Sequence, residues 1–580
     1  MTNLRRLLSP ETAVFLILLT GFVLRLWGIG FGLPYAYHAD EPIVVNHALG
    51  YGTGDFNPHF FRIPPLASYI LFVLYGLLFL AGKISGHFQS VHDFEFLYWT
   101  DPSLFYLTGR LFLGVLPGVF SIYLLYRVTR ITFGLFCSLL ASFFFCIAFI
   151  HVRDSHYIYA DIPLVLVLIG AFFPFLKIAS GVNSLSMHAL SGFMIGLATA
   201  FKYNGLFLVC PYLAAIFVSR LRLSDLRKAA LAAFAALAAF SLFNPYAWLD
   251  FTFFLQELAG EKMARETGTF WLHHLVYSAA GGLGPAMLVL SFAGMTAMLF
   301  DRMPTVQNKA RCVILAFVLP YYLVIVLWGQ YYDRYILPLV PFLAFFAADA
   351  IGRFYAKRSQ IKSGTAIIFI LIAVTAIPPL TKSFLSSLLF SKADTRTEAK
   401  LWVESHLPEG SRIAFNVPFY APRLRWSHAK LLEIKQRATE QSRYSSVQMR
   451  RFDILLRQNE TSGIPGYELY QLVDSPEADS AFLFGPKPLH YAAEAVVSSG
   501  IDFLVVSRHA GDKKLAALFS EFDGTPEKLA RFSPYRSSSI ENTLDPIAMT
   551  GGPFLWRDLI ARRAPGPVIE VYAVVKEGNS

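Results

Sequence analysis

Acidic and basic residues of this chain gather at the ends of its apolar runs. The pair Asp40-Glu41 lies in a long polar stretch after the first run, and Asp161 directly precedes a later one. Lys202 and Arg334 occupy similar positions at the ends of other runs. A carboxylate can take a proton from a hydroxyl, and fixed cations can stabilise a departing phosphate. These residue types together suit transfer of a sugar from a lipid phosphate to a hydroxyl acceptor.

The composition places most of the chain out of water. Hydrophobic residues make up 55% of the 580 positions and charged residues only 16%, whereas soluble proteins carry about 25% charged residues. A formal net charge of +10 could indicate nucleic-acid binding, but the placement of the basic residues indicates membrane orientation instead. All four cysteines fall in apolar runs, so no disulfide framework is predicted.

Apolar runs long enough to span a bilayer occur about eleven times. They lie near 12–30, 109–126, 134–151, 160–178, 187–201, 204–219, 229–247, 275–299, 311–328, 332–350 and 364–384. A further stretch, 64–82, is ambiguous. If it does not cross, the basic residues concentrate in the loops on one side, which the positive-inside rule assigns to the cytoplasm. We therefore predict that 64–82 lies along the outer surface or re-enters there, and that everything after about 385 is outside.

The predicted fold is an all-α polytopic membrane bundle with about eleven transmembrane helices. It has a long first outer loop with juxtamembrane helices and a small C-terminal soluble α/β domain. The predicted boundaries are 1–385 for the membrane domain, whose first helix is retained, and 386–580 for the extracytoplasmic (periplasmic) domain. In the latter, Thr395 to Glu398 predict a capping box. Strand-like runs follow at 412–417, 502–507 and 568–575, and the polar middle, around 430–480, is predicted to be less regular.

Several further residues of the predicted outer loops are candidates for the substrate pocket: His38, His59, His156, Tyr203 and Tyr332. Each candidate has a plainer interpretation. Lys202 and Asp161 could be interfacial residues that reach for water, and the tyrosines could form an aromatic belt. The histidines lack the close spacing of a metal site, so no metal ligand is predicted, although a divalent metal is not excluded as a cofactor.

The order of these motifs resembles the C-type glycosyltransferases. The motifs are Asp-Glu in a long first loop, Pro-Pro-Leu, an Asp before a span, Lys-Tyr-Asn-Gly, and Arg-Tyr-Ile-Leu-Pro. The resemblance covers residues 1 to about 400 and is nearest to glycosyltransferase family 39, with its protein O-mannosyltransferases and lipid A aminoarabinose transferases. It implies a polyprenyl-phosphate-linked sugar donor and a protein or glycolipid acceptor at the outer face of the cytoplasmic membrane.

The resemblance also implies roles for individual residues. Asp40 matches the family's catalytic carboxylate, which activates the acceptor in an inverting displacement, and Glu41 would support it. Asp161 matches the second outer acid, near the donor sugar. The family places cations for the lipid phosphate at positions that match Arg62, Lys202 and Arg334. Arg62 is the loosest match, because the family more often has His or Lys before its proline.

Two other classes of protein remain as alternatives. A transporter or flippase of a lipid-linked or anionic sugar would use a similar charged cavity, but such proteins place charges near the bilayer midplane and show internal repeats. A non-catalytic receptor or assembly subunit would leave the acids and cations of the outer loops unexplained. The C-terminal domain is interpreted as handling the acceptor or covering the site. The sugar, the acceptor, the metal requirement and the oligomeric state stay open.

Overall fold

The computed structural model describes most of the chain. The described residues are 9–219, 225–263, 272–300, 305–327, 332–358, 362–417, 420–441, 446–475, 485–508, 513–524, 526–537 and 555–574. Apolar helices make up the first two thirds of the chain, and a mixed β-sheet with flanking helices makes up the last third. The predicted fold class is confirmed, although the number of spanning helices is not fixed by it.

The N-terminal part consists of helices α1 to α18. In chain order, their bounds are α1 (Pro10–Leu26), α2 (Glu41–Gly50), α3 (Leu66–Ile84), α4 (Val91–Thr100), α5 (Ser103–Gly109), α6 (Leu116–Cys146), α7 (Phe149–Asp154), α8 (Asp161–Ala179), α9 (Leu185–Phe201), α10 (Val209–Val218), α11 (Asp225–Phe243), α12 (Tyr246–Leu249), α13 (Phe251–Met263), α14 (Ala280–Leu283), α15 (Pro285–Ala297), α16 (Val306–Leu327), α17 (Val340–Arg358) and α18 (Lys362–Phe390). Short 3-10 or π-helical segments join them at 51–53, 110–115, 203–208, 273–279, 298–300 and 333–339.

Seven helical segments among the described residues are long and apolar enough to cross a membrane, or up to eight if a pair bent by 111° counts as one span. Shorter apolar helices, such as Leu185–Phe201 and Tyr203–Val218, accompany them. The chain is therefore a multi-pass membrane protein. The predicted total of about eleven crossings stays a prediction, because several predicted runs correspond to helices shorter than a full span.

Gly134 explains how two predicted runs, 109–126 and 134–151, meet within one helical segment. Its backbone has φ 77° and ψ 179°, which breaks the helical path inside α6. Only glycine adopts this conformation without strain. The segment therefore contains two helical pieces joined at a sharp turn, in agreement with two separate runs.

Helix α3 corresponds to the ambiguous stretch 64–82. Its 19 residues could span a bilayer by length and composition. Segments on both sides of it, however, contact the C-terminal part of the chain. Before α3, the Tyr37 hydroxyl lies 3.0 Å from Thr397 Oγ1, and after α3, Glu95 pairs with Arg450 at 3.0 Å. These contacts favour the prediction that α3 does not cross, which labelling can test.

The C-terminal part contains helices α19 (Thr395–His406), α20 (His428–Gln441), α21 (Ser446–Ser462), α22 (Ala493–Ser498), α23 (Lys513–Ser520) and α24 (Leu555–Ala561). Its strands are β1 (Arg412–Phe415), β2 (Glu468–Val473), β3 (Lys487–His490), β4 (Phe503–Arg508), β5 (Glu527–Phe532) and β6 (Val568–Ala573). They form one sheet in the order β3-β2-β1-β4-β6-β5. Strands β1 to β4 pair in parallel, and β6 pairs antiparallel with both β4 and β5. Alternating side chains of the central strands fill two cores, one on each face of the sheet.

Two sequence-based predictions about this part are wrong. The region around 430–480 is not irregular, because it contains α20, α21 and β2; α20 and α21 pack their sparse apolar residues into a small shared core. The capping box at Thr395 to Glu398 is also absent. Asp394 caps α19 instead, accepting a hydrogen bond from the Arg396 backbone N–H at 2.9 Å. The three predicted strands, in contrast, match β1, β4 and β6, and the predicted ends differ from the observed ends by at most two residues.

The side assignment leads to a labelling prediction. Single cysteines in place of Thr53 and His87, on either side of α3, should react from the same face with a membrane-impermeant maleimide. A cysteine in place of Lys357 should react only after the membrane is opened, because it lies on the opposite side. All three positions are exposed, so accessibility is not limited by packing. Opposite behaviour of the Thr53 and His87 positions would mean that α3 crosses the bilayer.

Candidate active site

The Asp40 carboxylate lies directly before α2 and is held from one side. The Tyr159 hydroxyl donates a hydrogen bond to Asp40 Oδ2 at 3.1 Å, and Arg334 Nη1 lies 3.3 Å from the same oxygen. The Asp40 side chain remains 24% exposed. Within the described part of the chain, Oδ1 accepts no hydrogen bond, so it is available to an incoming hydroxyl.

His38 completes a ring of hydrogen bonds around Asp40. The Asp40 backbone N–H donates to His38 Nδ1 at 3.2 Å, and His38 Nε2 lies 2.8 Å from the Tyr159 hydroxyl. A neutral His38 with its proton on Nε2 satisfies every member of this ring, since Tyr159 then accepts from His38 and donates to Asp40. Burial raises the pKa of Tyr159 well above its ordinary value, which keeps its hydroxyl protonated as this arrangement requires.

A second acid and cation form the neighbouring pair. Lys202 Nζ lies 2.7 Å from Asp161 Oδ1. Asp161 begins α8, and Lys202 follows the last residue of α9, so each charge sits at a helix end. The Lys202 ammonium also lies 5.2 Å from the centre of the Tyr335 ring. About a fifth of the Lys202 side chain stays exposed.

Arg334 connects the two pairs. Its guanidinium stands over the rings of Tyr159 and Tyr332 at 5.1 and 4.4 Å. Its positive charge interacts with the carboxylates of both Asp40 and Asp161. The ring of the next residue, Tyr335, contacts the Lys202 ammonium. The structure thus brings the four charged candidates into one cluster at the ends of several helices, with partial exposure of both cations.

Glu41 is buried away from this cluster. Its two carboxylate oxygens accept hydrogen bonds from Arg110 Nε and Nη2 at 2.8 and 2.7 Å, and one also accepts from the Ile158 backbone N–H. Neither Glu41 nor Arg110 has exposed side-chain surface. Arg110 Nη1 in addition donates to the backbone oxygens of Ile29 and Phe31. Glu41 therefore anchors the start of α2 and the loop before it.

Arg153 supports the segment that carries Arg334. Its guanidinium pairs with Asp154 at 2.8 Å and reaches Asp333 at 3.7 Å, and all three side chains are nearly completely buried. Ser278 donates a further hydrogen bond to Asp333 at 3.1 Å. Because Asp333 directly precedes Arg334, this network fixes the position of the cation that faces Asp40.

Two predicted site residues lie on the outer rim of the first loop. Arg62 pairs with Glu257 at 3.6 Å, and half of its side chain is exposed. His59 pairs with Asp55 at 2.9 Å, and more than half of each side chain is exposed. Neither His59 nor Arg62 makes a described contact with Asp40 or Lys202.

His156 and Tyr203 are predicted pocket residues with packing roles in the structure. The ring nitrogens of His156 lie 2.9 and 3.0 Å from the backbone oxygens of Val152 and Trp27. Burial lowers the pKa of His156 to about 4, and a neutral imidazole donates to only one of these two oxygens. The Tyr203 hydroxyl donates to the Phe61 backbone oxygen at 2.7 Å. Both residues therefore tie loops together near the cluster.

Sequence reasoning missed the partners of the charged residues. Arg110, Tyr159 and Asp333 hold Glu41, Asp40 and the Arg334 segment, respectively. A signal existed for Arg110, since an arginine inside an apolar run requires a partner. No sequence signal indicated Tyr159. Among the described residues, no group of three or more His, Cys, Asp or Glu is placed to hold a metal ion.

Comparison with known proteins adds a family match. Residues 106–248 match the sequence profile of the dolichyl-phosphate-mannose-protein mannosyltransferases. This segment includes Asp161 and Lys202 but neither Asp40 nor Arg334. This chain resembles the C-type glycosyltransferases. The predicted resemblance is thereby confirmed, and it supports glycosyl transfer as the class of reaction.

Two solved structures with a similar path of the chain are distant from it in sequence. ArnT from Cupriavidus metallidurans bound to undecaprenyl phosphate is 13% identical, with 98% of each chain covered and a TM-score of 0.49. The Archaeoglobus fulgidus oligosaccharyltransferase tethered to an acceptor peptide is 12% identical, with 86% of this chain and 69% of that chain covered and a TM-score of 0.46. At such values the likeness bears on neither substrate nor mechanism. No curated protein sequence matches the chain.

The buried Glu41–Arg110 pair leads to a stability prediction. Glu41→Ala should lower the free energy of unfolding by about 3 to 5 kcal/mol, because it leaves the Arg110 charge buried without its partner. The melting temperature of the purified protein in detergent measures this loss. Asp55→Ala removes an exposed pair in the same loop and should change the melting temperature little. Equal effects of the two substitutions would contradict a structural role for Glu41.

Proposed function

We propose that this protein transfers a sugar from a polyprenyl-phosphate carrier to a hydroxyl of an acceptor at the outer face of the membrane. The observation that carries the proposal is the cluster of Asp40, Arg334, Asp161 and Lys202. It combines a partly exposed carboxylate with two partly exposed cations at helix ends. The match of residues 106–248 to the dolichyl-phosphate-mannose-protein mannosyltransferases supports it.

Asp40 is proposed as the general base. The acceptor hydroxyl places its oxygen on the anomeric carbon of the sugar and passes its proton to Asp40 Oδ1. A new carbon–oxygen bond forms, and the bond from the anomeric carbon to the phosphate oxygen breaks with its electron pair on that oxygen. Attack on the face opposite the phosphate inverts the anomeric configuration. The hydrogen bond from Tyr159 and the charge of Arg334 keep Oδ2 oriented, so that Oδ1 faces the acceptor.

The cations are proposed to hold the leaving phosphate. Lys202 and Arg334 each have an acid partner and an exposed face of about a fifth of the side chain. A phosphate oxygen can join such a pair without leaving any charge buried alone, and a charge-assisted hydrogen bond to phosphate is stronger than a neutral one. Asp161, which pairs with Lys202, is proposed to contact sugar hydroxyls. Arg62, half exposed and paired with Glu257, is proposed as a further contact of the donor phosphate.

The position of the cluster suits an amphipathic donor. Its charged residues lie at the ends of apolar helices, so the polyprenyl tail can stay in the bilayer while the phosphate reaches Lys202. The positive-inside distribution of basic residues supports an outer, periplasmic position for this end of the bundle in the cytoplasmic membrane. The acceptor, a protein or a glycolipid, would then approach from the aqueous side.

Replacement of the base tests the proposal most directly. Asp40→Asn should lower the turnover of a polyprenyl-phosphate sugar by at least about 100-fold, because a positioned general base contributes about 10²- to 10⁴-fold. Turnover is measured with purified protein in detergent and a radiolabelled donor. Asp55→Asn, an exposed acid of the same loop, should retain activity. Unchanged turnover in Asp40→Asn would remove Asp40 as the base.

A second substitution tests the phosphate site. Lys202→Gln should raise the donor KM or lower turnover by about tenfold or more, since a charged hydrogen bond to phosphate contributes about 1.5 to 3 kcal/mol. Lys202→Arg keeps the charge and should recover part of the loss. Lys83→Gln, at an exposed end of α3, serves as the neutralised control. Wild-type kinetics for Lys202→Gln would leave Lys202 with a packing role only.

The sugar and the acceptor can be identified from the glycosylated product that is missing in a strain without this protein. A strain lacking this protein should lack one sugar on one class of envelope molecule, which mass spectrometry of its lipids and proteins detects. The strain complemented with Asp40→Asn should show the same loss. If the unmodified lipid-linked sugar is instead missing from the outer leaflet in the deletion strain, the protein acts as a flippase.

A further inference from the structure

Helix α19 of the C-terminal part contacts the loop that leads to Asp40. The Tyr37 hydroxyl and Thr397 Oγ1 form a hydrogen bond of 3.0 Å, and the Arg396 guanidinium lies 4.1 Å from the centre of the Tyr37 ring. Lys400, one turn further on, stands over the ring of Tyr35 at 5.2 Å. Tyr37 is only 6% exposed, and these contacts hold its ring and its hydroxyl against α19.

The start of α19 is itself firmly held. Arg396 makes two hydrogen bonds to the Asp394 carboxylate, at 2.8 and 2.7 Å. Thr395 donates from its backbone N–H to the Pro565 oxygen and from its hydroxyl to the Pro567 oxygen. Gly566, between these prolines, has φ 95°, and a Cβ there would lie 2.5 Å from Asp394 Oδ1. The residues that contact Tyr37 therefore have little freedom to move.

A second contact of the C-terminal part involves the core cluster that contains Tyr159, the residue that donates to Asp40. Leu559 of α24 packs in a core cluster with Phe31, Tyr157, Tyr159 and Phe390. Tyr159 donates the hydrogen bond to Asp40, and the Tyr157 ring lies 4.1 Å from the ring of His38. The loop before Asp40 thus contacts α19, and Tyr159 belongs to the same core cluster as Leu559 of α24.

We infer that the C-terminal domain positions the Asp40 carboxylate, with Thr397 and Arg396 acting through Tyr37. This inference rests on the proposed function and assigns the domain a part in the reaction step beyond covering the site. Tyr37 is separated from Asp40 by two residues, His38 and Ala39, and displacement of a reacting group by about 1 Å can cost 10²-fold in rate. A loosened Tyr37 would therefore lower turnover while leaving the donor cations in place.

A double-mutant cycle on Tyr37 and Thr397 tests this inference. Tyr37→Phe and Thr397→Val each remove the same hydrogen bond and keep nearly the same volume. Each should lower kcat by about 2- to 10-fold, the factor that a hydrogen bond of about 0.5 to 1.5 kcal/mol represents. The donor KM should change less than about twofold, since Lys202 is not part of the contact. The double variant should be no slower than either single variant, because the two share one interaction.

Conservative and remote substitutions serve as controls. Thr397→Ser keeps the hydroxyl and should restore kcat. Arg450→Gln breaks the ion pair with Glu95 on α4, which joins the same two parts of the chain without touching the Asp40 loop, and it should leave kcat unchanged. An equal loss of kcat in Arg450→Gln, or wild-type kcat in Thr397→Val, would overturn the inference.

Hydrogen exchange separates this inference from the proposed function. Backbone amides of residues 35–43 should exchange faster in Thr397→Val than in the wild type or in Arg450→Gln, whatever reaction the protein performs. Unchanged exchange there would contradict the positioning role. Faster exchange in a protein that transfers no sugar from any polyprenyl-phosphate donor would instead contradict the proposed function alone.

Discussion

The fully buried ion pair of Glu41 and Arg110 is the constraint on which the site depends. Removing both charges from water is costly, and the cost is offset because each guanidinium nitrogen and each carboxylate oxygen of the pair has a hydrogen-bond partner. Arg110 bonds the Glu41 carboxylate and the backbone of residues 29 and 31, and Glu41 also accepts from the backbone of residue 158. Four segments, around residues 30, 41, 110 and 158, meet at this pair. Asp40, the next residue to Glu41, is consequently fixed in relation to Tyr159, one residue beyond 158.

The charges of the candidate site differ from the buried pair because three of the four are partly exposed. Asp40 with Arg334 and Asp161 with Lys202 form two pairs of opposite sign that share Tyr335 and the field of Arg334. The two pairs carry equal numbers of positive and negative charges, and each cation keeps a partly exposed side chain. Arg334 is held in place by its neighbour Asp333 and Arg153. A site of this kind is organised before the substrate arrives, which is what electrostatic stabilisation of a leaving group requires.

The sequence predicted the membrane bundle and the C-terminal α/β unit because both depend on regular patterns. Long apolar runs and alternating strands are visible without tertiary contacts. It also identified Asp161 and Lys202, since each is a charge at the end of an apolar run, and it identified Asp40 and Arg334 from the order of motifs that resembles the C-type glycosyltransferases. Partners could not be predicted in the same way, because Tyr159 and Asp40 lie far apart in the chain and meet only in the fold. Helices α20 and α21 were missed because their surfaces are mostly polar and only a few side chains face a core.

The last long helix explains how a domain at the end of the chain can act on a residue near its beginning. Helix α18 extends beyond its apolar residues and ends at Phe390. In this last part, the hydroxyls of Ser383 and Ser387 donate hydrogen bonds to the backbone oxygens of Ile147 and Leu24. Its final residue, Phe390, stacks on His156, and a Cβ on Gly28 would lie only 2.5 Å from the Phe390 Cβ. Three residues separate α18 from the cap of α19. The C-terminal part is therefore joined to the bundle by packed helices, so its contacts with Tyr37 have a defined geometry.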